Sequence, residues 1–388
     1  MAPDLVADVV VVGGRAAGAA AALLLARAGL SVVVVERDVR GADTLSTHAL
    51  MRGGVCQLQR WGLLDKVVAA GTPAIRETTF HYPHETVRVT VKPGAGVDAL
   101  YAPRRTVLDP ILTDAAAGAG AAFRHRTAVV GLDRRAGRVV GVHAVERGTG
   151  RALRIRARLV IGADGRRSKV AELVGAPTTH RAIHTSAFTY GYFAGLATTG
   201  YHWAYGDGTA GVIPTNDGLA CVFAGHRPDR VGRGGEHALR RLVATASPEL
   251  GERLAAAATA SVVRTFTGQP GYLRRPWGPG WALVGDAASW KDPISAHGLT
   301  DALRDAELLA RAVTDDLTGK LPADLAYRRY EQVRNRLTAP ILRDADEIAA
   351  MGWDGHQIGV LLRRLNQAMS DELAVIAELD DPALVVAR

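Results

Sequence analysis

Cysteine is nearly absent. Cys56 and Cys221 are the only two in 388 residues, far apart and outside any C-x-x-C or C-x-x-x-x-C spacing, so a disulfide scaffold, a zinc site and a redox-active disulfide are not indicated. Long apolar runs are missing as well. None reaches the roughly 18 residues that cross a bilayer, and Asp4 and Asp8 stand where a signal peptide has cations and then an apolar stretch. No membrane span is expected, and the expected compartment is the cytoplasm. Lysine occurs only at Lys66, Lys92, Lys169, Lys291 and Lys320, so arginine carries most of the positive charge behind the formal +8. The arginines are dispersed among acids, and no basic run alternates with stacking aromatics, which argues against a nucleic-acid partner. Diffuse positive charge instead favours anionic small molecules. Neither G-x-S-x-G nor H-E-x-x-H occurs in a context that would make it catalytic, so no acyl-transfer triad and no metal site is expected.

What is present is a strand, a glycine turn, a helix, a second strand and an acid between Asp8 and Arg37. Asp8 to Val12 is a β-branched run, Gly13-Gly14-Arg15-Ala16-Ala17-Gly18 is the turn, Ala19 to Ala28 is an alanine- and leucine-rich helix closed by Gly29, and Leu30 to Val35 leads to Glu36 and Arg37. This is the layout that holds the adenosine diphosphate half of a dinucleotide. Gly13 permits the tight turn, Gly18 lets helix and strand approach, the amides of the turn through Ala16 and Ala17 face a pyrophosphate, and Glu36 accepts from a ribose hydroxyl. Arg15 occupies the place of the second glycine in G-x-G-x-x-G. Its side chain crowds the phosphates unless the guanidinium turns outward to reach a phosphate oxygen.

Beyond this unit, Val55 to Ala70 reads as a helix with Leu58, Trp61, Leu64 and Val67 on one side, and Phe80 to Val91 alternates like a strand. Arg104 to Asp109 leads into an alanine-rich helix. Strands follow at 127–133, 138–145 and 154–161, the last running into Gly162-Ala163-Asp164-Gly165-Arg166-Arg167-Ser168. Residues 187–223 are short β segments broken by glycine, Leu239 to Ala257 is helical, and Trp281 to Val284 ends in Gly285-Asp286-Ala287 before a long helix near Gly298. The expected fold is α/β: a Rossmann-like domain from 1–75, 100–180 and 270–320, an inserted, mainly antiparallel β-sheet substrate domain from 76–99 and 181–269, and a helical C-terminal segment from 321–388.

The glycine turn at 13–18, the segment Ile161–Ser168 and the segment Leu283-Val284-Gly285-Asp286-Ala287 together resemble the FAD-dependent monooxygenases of the para-hydroxybenzoate hydroxylase type, a superfamily related to flavin-dependent halogenases and geranylgeranyl reductases. The resemblance spans residues 5 to about 315. It implies FAD as cofactor, with Asp286 on its ribitol or ribose, Asp164 near its pyrophosphate, and Arg105 beside the flavin, where Arg104 competes for the role. It also implies that Pro293 and the helix start at Gly298 and Leu299 lie along the isoalloxazine ring, with helix-terminal amides toward the edge that becomes anionic on reduction. His297 in that loop is either a specificity element or a supporting hydrogen-bond group. Further residues expected near the substrate are His48, Arg52, Tyr190, Trp203, Tyr205 and Trp290.

The chemistry so implied is reduction of FAD by NAD(P)H as a transient visitor, or by a separate flavin reductase. Capture of O2 as a C4a-(hydro)peroxide follows, then transfer of one oxygen atom to an organic, aromatic or polyketide-like molecule. A saturase of isoprenoid chains, moving hydride without oxygen insertion, is the main alternative. Halogenation fits less well: W-x-W-x-I-P is reduced to Ile213-Pro214, with Thr209 and Gly211 where both tryptophans belong.

Overall fold

The second half of the first strand is an unbroken valine run because both of its faces are covered there. β1 (Leu5–Val12) runs through the middle of a sheet with Val9, Val10 and Val11 fully buried. Gly13 turns the chain into α1 (Ala16–Arg27), buried along nearly its whole length, and β2 (Val32–Val35) returns parallel to β1 with Val9 opposite Val32. Small residues make this possible: a Cβ on Gly18 would lie 1.8 Å from the Gly13 carbonyl oxygen. The structure, a computed structural model, describes residues 4–380.

Next come α2 (Arg52–Arg60), α3 (Leu64–Ala69), the hairpin of β3 (Glu77–His81) and β4 (Thr86–Thr90), and α4 (Arg105–Gly118). The helix expected over 55–70 is thus two, because Gly62 takes φ +71° and turns the chain. The strand expected over 80–91 is also two. Pro83 sits in a turn closed by Tyr82 N donating to the Glu85 carbonyl at 2.8 Å, and alternation on both arms had masked it. β5 (Ala122–Arg124), β6 (Thr127–Arg135), β7 (Arg138–Glu146) and β8 (Ala152–Gly162) continue the first sheet, with β8 parallel to β1 on the side away from β2.

After α5 (Lys169–Val174) and β9 (Thr178–Arg181), a second sheet begins with β10 (Ala187–Ala194), β11 (Tyr201–Gly206), β12 (Gly208–Pro214) and β13 (Ala220–His226). Helices α6 (Pro228–Val231), α7 (Gly235–Ala246) and α8 (Pro248–Ala255) follow. The single helix expected over 239–257 breaks where Ser247 accepts from Leu250 N at 3.3 Å and Pro248 opens a new first turn. Short strands β14 (Ala258–Thr259), β15 (Arg264–Phe266), β16 (Tyr272–Arg274), β17 (Trp277–Gly278), β18 (Trp281–Leu283) and β19 (Ser289–Trp290) lead to α9 (Gly298–Leu317), α10 (Ala323–Ala349) and α11 (Gly355–Ala377). The first sheet has the path β17-β18-β8-β1-β2-β5, the second β14-β10-β13-β12-β11-β3-β4, and β19-β16-β9 forms a small third.

Alternation along the second sheet sorts its side chains cleanly. Phe188, Tyr190, Tyr192, Tyr201, Trp203, Tyr205 and Phe223 share one face, packed with Ile294 and with Ile341, Ile348, Ile358 and Leu365 of α10 and α11. Val212, Val222 and Ala224 share the other, against Leu239, Leu242 and Leu250 of α7 and α8. The mixed α/β architecture with a helical C-terminal segment is therefore as expected, and the last two helices cover the aromatic face.

Candidate cofactor and substrate site

Three segments converge at the C-terminal ends of the parallel strands, where open α/β sheets place their ligands. At the first, α1 starts without any side-chain cap and without an acid in its first turn, so its amides face outward unneutralised. Gly13 (φ +100°) has no room for a Cβ, which would meet the Ala163 carbonyl oxygen at 2.5 Å. Glu36 is buried: its Oε2 accepts from Gly14 N at 2.6 Å and its Oε1 from Asp38 N at 2.9 Å, which fixes the carboxylate beside the turn. Arg15, at the place of the missing glycine, leans to Asp38 at 3.1 Å and keeps Nη1 buried without a partner. Arg37 points into solvent, 3.6 Å from Asp38, with its side chain 69% exposed.

Asp286 follows β18 in a short helical turn. Burial, then the nearby Asp301, push its carboxyl up to about 6 against the opposing pull of Lys291, Arg166 and Arg105. Arg105 opens α4 and forms a two-pronged pair with Asp109, both contacts 2.9 Å. Asp164 is fully engaged by its own loop: Ser168 Oγ donates at 2.5 Å, and Lys169 N and Val170 N donate at 2.6 and 3.1 Å, so the carboxylate holds the start of α5. Arg166 lies over the rings of Phe266 and Trp290 at 4.9 and 5.1 Å, and Trp290 donates to the Gln269 carbonyl at 3.1 Å.

The loop between Trp290 and α9 is the third segment. Asp292 caps a turn over Pro293–Ser295 and also accepts from Ser186 N at 2.7 Å and from the Ser186 hydroxyl; burial raises its carboxyl to about 6. Ala296 then adopts φ +49°, a left-handed conformation that costs an alanine energy and that the surrounding packing must hold. His297 precedes Gly298 and Leu299, and α9 begins with no side-chain cap. Below it lies a buried ionic hub. Lys291 pairs with Asp301 at 2.6 Å, Arg304 with Asp301 at 2.7 Å, with Asp305 at 2.6 Å and with Glu372 at 2.5 Å, and Glu372 with His297 at 2.5 Å. Burial alone would raise Asp301, yet Lys291 and Arg304 outweigh it and hold the carboxyl at about 2. His297, Asp301 and Glu372 each bring a ligand atom within 4.8 Å of the others, but Lys291 and Arg304 already neutralise these carboxylates, so a further cation would meet repulsion.

His48 and Tyr190 stand across from this loop. The Tyr190 hydroxyl accepts from Ser46 N at 3.0 Å and donates to the Thr44 carbonyl at 3.3 Å, pinning residues 44–48 to the second sheet. His48 has φ +49° and stacks on Tyr192, centroids 5.5 Å apart, while Arg104 covers Tyr192 at 4.6 Å. Burial drives its imidazole down to about 3, so the ring is neutral; neither ring nitrogen completes a hydrogen bond, although the Ala102 backbone is close enough to act on its titration. Arg52 opens α2 with a buried, unpartnered Nε, and Met51 N donates to Thr300 Oγ1 at 3.2 Å, joining this segment to α9. Trp203 and Tyr205 lie deeper. Trp203 donates to Thr209 Oγ1, its ring stacks on Tyr205 at 5.8 Å, and Tyr205 meets Trp353, so both belong to the packing beneath the C-terminal helices.

Sequence reasoning missed Asp301, Arg304 and Glu372. Asp301 and Arg304 stand at i, i+3 on a helix that is buried almost continuously from Leu299 to Val313, and charge on such a face is the signal that was there to read. Glu372 gave none, being one acid on an amphipathic helix.

The donors and acceptors present suit a dinucleotide. Two uncapped helix starts and an unpartnered Arg15 nitrogen offer donors of the kind anionic oxygens accept from, and the Glu36 and Asp286 carboxylates are acceptors of the kind hydroxyls donate to. A family model described as FAD binding domain matches residues 6–345. The chain belongs to that family. It is a FAD-dependent oxidoreductase. Digeranylgeranylglycerophospholipid reductase of Methanothrix thermoacetophila is 28% identical over 326 residues, 79% of this chain and 78% of its own. The flavin-dependent brominase Bmp2 superposes with a TM-score of 0.80 at 18% identity, over 98% of this chain and 97% of its own. PqsL of Pseudomonas aeruginosa, described as a probable FAD-dependent monooxygenase, superposes with a TM-score of 0.78 at 23% identity, over 92% of this chain and all of its own (100%). These two structural likenesses establish the fold.

Proposed function

We propose that this FAD-dependent oxidoreductase is a monooxygenase that hydroxylates or epoxidises an aromatic or polyketide-like small molecule. The observation that carries the reading is the apolar, aromatic face of the second sheet where it reaches His48 and the loop before α9. Planar unsaturated molecules pack well against such a face. FAD, held by the α1 turn, Glu36, Asp286 and the start of α9, supplies the redox chemistry when bound, with NAD(P)H or a separate flavin reductase as its electron source. The chain supplies position, charge and dryness. The α9 start favours a neighbouring anion by about 0.3–1 kcal/mol, and burial raises Tyr190 to about 12 and Tyr192 further, so both phenols stay protonated as donors. His48 offers one N–H and one lone pair across the same space, and the packed C-terminal helices keep water from the aromatic face.

A second reading, saturation of an isoprenoid double bond, is favoured by the curated relatives, which are reductases aligned over most of the chain. Halogenation gains little: a Cβ at Gly211 would lie 2.3 Å from the Phe223 ring, and Thr209 Oγ1 is already engaged by Trp203 and by the Ala204 carbonyl.

The test begins with the visible spectrum of purified protein and extraction of its chromophore. Substrate-dependent NAD(P)H oxidation is then followed with and without O2, using a panel of phenols, quinones and polyprenyl compounds. Oxygen uptake matched to product supports the monooxygenase, whereas turnover in strict anaerobiosis supports the saturase. Colourless protein that takes up no added FAD removes both.

A further inference from the structure

We propose that Glu372, on the last helix, is a positioning residue for His297, and that His297 Nδ1 is a proton-exchanging atom of the site. The second half rests on the FAD reading, since it is that reading which lays the loop 293–299 along the cofactor.

His297 is 1% exposed and sits between left-handed Ala296 and the first residue of α9. Its Nε2 lies 2.5 Å from Glu372 Oε2, and the other carboxylate oxygen, Oε1, lies 2.5 Å from Arg304 Nη1. Arg304 is fully buried and is held in turn by Asp305 and by Thr338 Oγ1 of α10 at 2.9 Å, so three helices fix the direction of the Glu372 carboxylate. Burial works against ionisation of Glu372, but the charge His297 carries when protonated and the fixed charge of Arg304 outweigh it and lower its pKa, and Arg304 still faces the carboxylate when the ring is neutral. An ionised carboxylate only accepts, so the hydrogen of the imidazole stands on Nε2, and the tautomer is set by the partner. Nδ1 is left as the ring's free atom, buried and without a partner in the protein.

A buried nitrogen with no partner is costly, and such exceptions in a native fold mark groups that await a ligand or a proton. The charged groups joined to the ring through this hub are Glu372 on α11, Arg304, Asp301 and Asp305 on α9 and Lys291 before the loop, with Asp286 after β18 acting on Asp301. A proton accepted by the Nδ1 lone pair gives an imidazolium that keeps its Nε2–H on Glu372. Returning that proton to a developing anion restores the neutral ring, with no change in electron count.

The experiment has two arms. In the first, protein stripped of flavin and labelled with 15N-histidine is examined by NMR at neutral and alkaline pH, and His297→Asn assigns the signal. The expected result is the Nε2–H tautomer, converted to a mixture by Glu372→Gln; an Nδ1–H ring in the unsubstituted protein overturns the proposal, whatever FAD does. In the second arm the holoenzyme is assayed. Glu372→Gln and His297→Asn should each lower kcat on the order of 10²-fold, shift the pH profile alike, leave KM within about twofold, and combine without further loss. His297→Asn leaves the Glu372–Arg304 pair in place, so it decides the matter if Glu372→Gln does not fold. Unchanged kcat in folded His297→Asn refutes the proton role. Failure of the protein to bind FAD removes the functional reading and its proton step, while the tautomer result still judges Glu372.

Discussion

His48 combines a left-handed backbone, a neutral buried ring and two unpaired nitrogens, and each has a measurable consequence. Its folded pKa of about 3 lies below the ordinary value of 6.5, so between those pH values the unfolded chain takes up a proton that the folded chain refuses. Stability contributed by this residue is therefore lost as pH falls below 6.5. Asp286 and Asp292, both raised to about 6, act in the opposite sense: the folded chain holds their protons first, which favours folding as pH falls from 6 toward 3.8. Urea melts at pH 7.0 and 4.5 should show that His48→Asn flattens the loss on acidification and Asp286→Asn deepens it; the same change for both variants would contradict the assignment. At Gly18 the constraint is steric. With 1.8 Å from a Cβ to the Gly13 oxygen, Gly18→Val should leave a chain with little or no flavin after reconstitution, read as the ratio of visible to protein absorbance.

At the scale of elements, the aromatic face of the second sheet is welded to α10 and α11 through Trp203, Tyr205 and Trp353. Trp203→Ala should cost about 3–5 kcal/mol in a denaturant titration, and Trp203→Phe should cost much less. The pattern of valines, glycines and alanines from Asp8 to Glu36 was legible because each residue there has one local task. So were the strands that run into the Asp164 and Asp286 turns. The helix break at Gly62 was not, since Leu58, Trp61, Leu64 and Val67 keep helical spacing across the turn, and at Pro83 the alternation on each arm hid a change of phase from Phe80 and Tyr82 to Val87 and Val89. Tyr190 and His48 could be named from composition, but which aromatics meet a ligand and which meet a helix depends on what covers the sheet. That covering comes from α10 and α11, far along the chain.

Over the whole molecule, the last helix is tied to the first half of the chain. Arg60 donates to the Ile376 and Leu379 carbonyls at 3.0 and 2.9 Å and pairs with Glu307 of α9 at 3.1 Å, while Ile358 and Leu365 pack on the second sheet. Both sheets share these helices, so unfolding followed by far-UV circular dichroism and by tryptophan fluorescence should give coincident curves. Two separated transitions would show that the sheets melt independently.

Arg304 also has a bearing on how the molecule is made. While the chain is being synthesised, α9 and its guanidinium leave the ribosome well before Glu372, and until that carboxylate arrives His297 has nothing to orient its ring. On the reading proposed above, the turn after β1 is in place early, whereas the His297 end of the site is completed only when α11 docks. Under that reading, competence follows the docking of α11.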